Sequence, residues 1–182
     1  MTDSPNAQAL LADSDLIHSA EAVAAAVDRV AGEIAGRLRG SHPLLLCVMN
    51  GGVPFAGRLM MRLDFPLDFD YVHATRYGRE TAGGEIEWRA WPRTPLEGRT
   101  VLLVDDILDE GHTLAAIAGR VRERGAAACL TAVAVDKLNG LEKPLRADFT
   151  ALTAPNRFLF GFGMDARGLW RNLPSIHAMK EN

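Results

Sequence analysis

The chain has little of what would tie a protein to an oxidising compartment, a membrane or a nucleic acid. Only two of its 182 residues are cysteine, Cys47 and Cys129, and each lies inside an apolar, strand-like run. Such thiols read as buried and free rather than as a disulfide or a metal pair. No apolar stretch is long enough to cross a bilayer, and the first 20 residues hold no long apolar run. Neither a membrane span nor a secretory signal is expected, and a reducing cytoplasm is the expected location. Net charge is −3, with acidic and basic residues interspersed. A basic stripe is missing, so a nucleic-acid partner is not expected. Repeats, low-complexity segments and a linker long enough to separate domains are also missing. Residues 1–182 therefore read as one domain, large enough to bury a substantial core.

What is present is alternation. Ser19 can cap a helix whose stripe is Val23, Val27, Val30, Ile34 and Leu38. Apolar runs at Leu44–Met49, Phe69–Tyr77, Val101–Val104, Cys129–Val135 and Asp148–Thr153 read as strands. Between them, Pro54 opens a helix bearing Phe55, Leu59 and Leu63, and a second helix carries Leu114, Ile117, Ala118 and Val121. Strands alternating with helices predict an α/β fold: a mostly parallel central sheet with helices on both faces. Two segments are expected outside this pattern. Met1 to about Asn6 is polar and predicted to lack order. Gly78–Trp88 is glycine-containing, polar and without a helical period, as a functional loop would be.

The stretch with the most chemistry is Val101–Leu114, VLLVDDILDEGHTL. A buried strand runs into an acidic loop, a glycine turn and a helix. The helix N-terminus offers free N–H groups and a positive dipole end, which suit a phosphate. Gly111 permits a tight turn close to a ligand. Asp105 and Asp106 would repel that phosphate, so they need another partner; ribose hydroxyls fit, and so does magnesium. Helix capping alone would explain one carboxylate. Asp105, Asp106, Asp109 and Glu110 make four within six residues, at the end of a strand, where open α/β sheets bind ligands. Asn50-Gly51-Gly52 repeats the strand-glycine-helix order and offers a second anion cradle.

VLLVDDILDEGHTL resembles the ribose-phosphate signature of the type I phosphoribosyltransferases, and later segments are similar to the hypoxanthine/guanine branch, from about Pro43 to Ile176. The resemblance implies that branch's fold, with a small hood built from parts of about 1–40 and 155–182. It implies transfer of phosphoribose from 5-phosphoribosyl 1-diphosphate to hypoxanthine or guanine, giving IMP or GMP and pyrophosphate, with Mg2+, in a homodimer or homotetramer. Xanthine or broader 6-oxopurine use is the alternative within enzymes; a ligand-binding regulator without turnover is the alternative outside them. By the same resemblance, Asp109 is the general base. Asn50, Gly51, Arg76, Asp105, Asp106, Asp109, Glu110, Gly111, His112, Thr113 and Arg171 hold the donor. Lys137 meets the purine 6-oxo group, Phe158 stacks on the base, Leu159 contacts its edge, and Asp165 and Asp105 face magnesium. Gly78–Trp88 matches a mobile lid, with Tyr77 at its start. Departures stand at Asn50, where the family usually has Lys; at Arg76, where it has Ser; and at Glu110, where a small residue is usual. His112 falls at a variable position.

Overall fold

The computed structural model describes residues 4–76 and 86–180. In chain order the elements are α1 (Ser4–Ala12), β1 (Ser14–His18), α2 (Ala20–Leu38), β2 (Leu44–Val48), α3 (Val53–Met60), β3 (Asp68–Arg76) and β4 (Ile86–Ala90). They continue with β5 (Thr100–Leu108), α4 (His112–Glu123), β6 (Ala128–Leu138), β7 (Phe149–Pro155), β8 (Leu159–Phe160) and β9 (Ile176–Met179).

The main sheet has strand order β4-β3-β2-β5-β6-β7. Every neighbouring pair is parallel except β3 with β4. Because side chains alternate across a strand, β2 and β5 feed two separate cores. Leu45, Cys47, Leu102 and Val104 join α2 and α3 in one cluster. Leu44, Leu46, Val48, Val101 and Leu103 join α4 in the other. The stripe expected on α2 is buried throughout, and Ser19 caps that helix by accepting the Ala22 N–H. A second sheet, β1-β9-β8, is antiparallel and draws its strands from both ends of the chain.

The structure corrects several boundaries. A helix begins at Ser4 where Met1–Asn6 was expected to lack order. The loop expected over Gly78–Trp88 ends in strand: Ile86, Glu87 and Trp88 belong to β4, and Trp88 packs edge-on against Trp91. The acidic loop is not a loop at Asp105 and Asp106. Strand β5 runs on to Leu108 because β6 extends beside it, pairing Asp105 with Val133 and Leu108 with Asp136. Leu63 lies beyond the end of α3 but is buried in the same core.

Both cysteines are free and buried. Burial pushes the Cys47 thiol up to about 12 and the Cys129 thiol to about 11, so neither supplies a thiolate near neutral pH. Among the described residues no helix is long and apolar enough to cross a membrane.

Candidate active site

The C-terminal ends of β2, β5 and β6 open onto two adjoining cavities. One, of about 490 Å³, is bordered by Asn50, Gly51, Asp105, Asp106, Asp109, Glu110, Gly111, His112, Thr113 and Arg171. The other, of about 470 Å³, is bordered by Asp106, Asp109, Lys137, Phe158, Leu159, Asp165 and Arg171. The residues expected to hold the donor therefore share the first cavity, and those expected to hold the base share the second. Asp106, Ile107, Asp109 and Arg171 line both. Arg76 ends β3, and its side chain lies outside the described residues, as do Tyr77 and most of the expected lid.

The glycines allow the close approach. The Met49–Asn50 peptide is cis, and Gly51 lies so near Asp106 that a Cβ there would meet its carboxylate. Gly111 caps α4 with φ of 82°, a left-handed conformation that costs glycine little. Its turn presents the first N–H groups of α4, at His112 and Thr113, to the cavity.

Asp105 and Asp106 follow the buried aliphatic run of β5, and the strand goes on to a buried Leu108. The Asp106 N–H donates to Asp105 Oδ1 at 2.9 Å. Burial, then repulsion from Asp106, pushes the Asp105 carboxyl well above the usual carboxylate range. Burial also raises Asp106, against the field of Arg171. A divalent cation would relieve this, and hard carboxylate oxygens suit magnesium. The second carboxylate expected to face magnesium sits apart: Asp165 borders only the base-side cavity, where it pairs with Arg171 and accepts the Gly168 N–H at 2.7 Å. Among the described residues no three acidic, histidine or cysteine side chains converge on one metal position. The donor set fits an ion that takes one or two carboxylates and fills its shell with substrate oxygens and water.

Asp109 is held at both oxygens. Lys137 Nζ donates to Oδ2 at 2.9 Å, and Asn139 Nδ2 donates to Oδ1 at 3.2 Å and to the Asp109 carbonyl at 3.0 Å. Lys143, whose side chain is 12% exposed, ties the two strand ends together. Its Nζ donates to Asp136 at 2.5 Å, to the Leu108 carbonyl at 2.8 Å and to the Lys137 carbonyl at 2.7 Å. Sequence reasoning missed Asn139 and Lys143, because their partners at Asp109 and Leu108 are 30 and 35 residues away. It also missed Leu10, which α1 brings to the base-side cavity, and His73, Thr75 and Arg89 on the donor side.

Phe158 is 47% exposed, so it is not a core residue; its ring borders the base-side cavity while Leu159 beside it is buried. Arg171 donates to the Gly163 carbonyl at 2.7 Å and to Asp165, which fixes the guanidinium at the junction of the two cavities.

Comparison with known proteins agrees with this geometry. Residues 13–167 match the model of the phosphoribosyl transferase domain. The chain is 35% identical over 143 residues to the hypoxanthine-guanine phosphoribosyltransferase of Streptococcus thermophilus, covering 78% of this chain and 79% of that one. It is 31% identical to the enzyme of the same name from Bacillus subtilis, over 89% and 91% of the two chains. The fold superposes on a hypoxanthine phosphoribosyltransferase structure from Staphylococcus aureus with a TM-score of 0.89, covering 99% and 97% at 24% identity. It superposes on the Trypanosoma cruzi hypoxanthine phosphoribosyltransferase, in a ternary substrates complex, with a TM-score of 0.85, covering 93% and 97% at 27% identity. A cradle of helix N–H groups and a buried acidic pair at the end of β5, with a family model spanning most of the sequence, place this chain in the phosphoribosyltransferase family.

Proposed function

We propose that the protein transfers the phosphoribosyl group of 5-phosphoribosyl 1-diphosphate to hypoxanthine or guanine, forming IMP or GMP and releasing pyrophosphate. The observation that carries this reading is the pair of adjoining cavities that meet at Asp109 and Arg171, one bearing an anion cradle and the other an exposed aromatic ring and a lysine.

In this reading the 5′-phosphate rests on the N–H groups of the Glu110–Thr113 turn, and Asp105 and Asp106 accept hydrogen bonds from the ribose hydroxyls. Asn50, Gly51 and Arg171 receive the diphosphate. Phe158 stacks on the purine, Leu159 borders its edge, and Lys137 donates to the 6-oxo oxygen. In the reaction a purine ring nitrogen bonds to the ribose carbon that loses its bond to the diphosphate. The nitrogen's proton passes to Asp109. The sugar gains positive character while the leaving group gains negative charge, and Arg171 offers a fixed guanidinium where that charge develops. Asp105 would hold Mg2+, which supplies charge stabilisation for the diphosphate when bound, while Asp165, set apart on the base side, holds Arg171.

Residues 1–182 act as one domain in this reading, with β1-β9-β8 as the hood over the base. A second copy of the chain would cover exposed apolar side chains at Met61, Phe69 and Tyr71, in a homodimer or homotetramer. The location proposed is the cytoplasm, with neither nucleic acid nor membrane as partner.

The test is pyrophosphate release from the donor with hypoxanthine, guanine, xanthine and adenine in turn. Release with the first two supports the reading. Release with none of the four, from folded protein supplied with magnesium, would overturn it.

A further inference from the structure

The donor-side cavity carries carboxylates from Asp105, Asp106, Asp109 and Glu110, so an anionic donor entering it needs cations. Among the described residues, two arginines line that cavity, Arg89 and Arg171. Arg171 is already engaged by Asp165 and the Gly163 carbonyl. Arg89 is held more loosely.

Its placement comes from a bulge. His73 pairs with Ala90 and Ala74 pairs with Trp88, so Arg89 faces no residue of β3. Bulges re-aim side chains and are common beside active sites. The strand on either side is anchored: Trp88 packs edge-on against Trp91, and Arg120 of α4 sits 4.2 Å from the Trp88 ring centre. Arg89 itself pairs with Glu87 at 3.1 Å, with side chains 51% and 43% exposed. An exposed pair of this kind binds weakly and yields to a stronger anion. A guanidinium fork matches phosphate oxygens better than a single carboxylate in water.

We propose that Arg89 is a binding residue for the donor's diphosphate. The assignment rests on the phosphoribosyl-transfer reading above. Strand order favours the diphosphate over the 5′-phosphate. Strand β4 stands two places from β2, which leads into Asn50 and Gly51, and three places from β5, which leads into the Glu110–Thr113 turn. On donor binding the guanidinium exchanges Glu87 for phosphate oxygens.

The experiment is calorimetric binding of two probes, inorganic pyrophosphate with magnesium and ribose 5-phosphate, to native protein, Arg89→Gln and Glu87→Gln. Arg89→Gln should weaken pyrophosphate binding about ten- to hundredfold, as loss of a hydrogen bond to a charged group does. It should leave ribose 5-phosphate within about twofold of native, since no contact to that probe is removed. Glu87→Gln removes the competing carboxylate and should keep or tighten pyrophosphate binding. Arg89 is exposed, so neither variant threatens the core. Native-like pyrophosphate binding by Arg89→Gln would overturn the proposal. So would a loss confined to ribose 5-phosphate. An equal loss in Glu87→Gln would show that the ion pair only fixes β4, and would also overturn it. If native protein turns over donor and purine while Arg89→Gln is indifferent, Arg89 alone is misassigned. If native protein binds neither probe and releases no pyrophosphate, the functional reading fails first.

Discussion

The inner and outer halves of β5 are one continuous strand under opposite demands. Val101 to Val104 are 0–1% exposed and divide their side chains between the two cores. Each contributes by filling volume and leaving water, and any residue of like shape would serve. A few residues on, the pairing with β2 has stopped at Val104, Asp105 pairs with β6 alone, and the Asp105 and Asp106 carboxyls lie in a place that disfavours charge. The same register that stabilises the first half fixes the second half in a destabilised state. Function sits where the strand stops optimising the fold, and a bound cation or ribose would offset what the acidic pair costs.

The contrast breaks most sharply at the outer rim. Lys137 has three donors and no acceptor, so it suits a 6-oxo oxygen and leaves adenine's amino group unpaired. Sites of this kind reject the wrong analogue by about 10⁴–10⁵-fold. Lys137→Met should therefore collapse the ratio of kcat/KM for hypoxanthine over adenine. Because Lys137 also holds Asp109, both bases lose that shared support, and the ratio isolates base reading. A ratio unchanged from native would remove Lys137 from the role. Asp109→Asn comes next. Turnover should drop about 10²–10⁴-fold, as loss of a general base does, while donor binding stays near native. An equal fall in donor affinity would make Asp109 a ribose ligand and nothing more. The inner half gives the reverse pattern. Leu103 is fully buried, and Leu103→Ala should cost about 2–5 kcal/mol in urea unfolding. Turnover per folded molecule should stay close to native. A large loss of rate at unchanged stability would mean the two halves are not separable.

The sequence made the inner half easy to read and the outer half only partly so. Four aliphatic residues with turn signals beyond them announce a buried strand, and the α4 stripe is equally plain. Asp105 and Asp106 read as loop because their polarity is local information, whereas their strand conformation depends on how far β6 extends beside them. Strand β4 hid for a similar reason: Ile86-Glu87-Trp88 is short, follows a glycine pair, and becomes strand only by pairing with β3. The grouping into donor-side and base-side residues came from the family resemblance, because each set draws on several elements: Asn50 follows β2 and Gly111 follows β5, while Lys137 lies on β6 and Phe158 follows β7. Asn139, Lys143 and Arg89 carried no such signal. Their roles come from tertiary neighbours, or in Arg89's case from a one-residue bulge.

The most direct test of the opposition within β5 is Asp105→Asn, measured for stability across pH with a chelator present and for turnover with magnesium. Burial and the Asp106 charge raise the Asp105 carboxyl in the folded protein above its unfolded value. Its stabilising contribution is therefore complete below the unfolded value, near about pH 4, and is lost as pH rises through the folded one. Asparagine escapes that loss. The variant should match native stability in acid and exceed it at pH 8, by about 0.5–2 kcal/mol, the range usual when a strained functional group is relieved. Turnover should fall at the same time. A variant that is less stable than native at pH 8, or equally stable at every pH, would contradict the claim that β5 trades stability for function at Asp105.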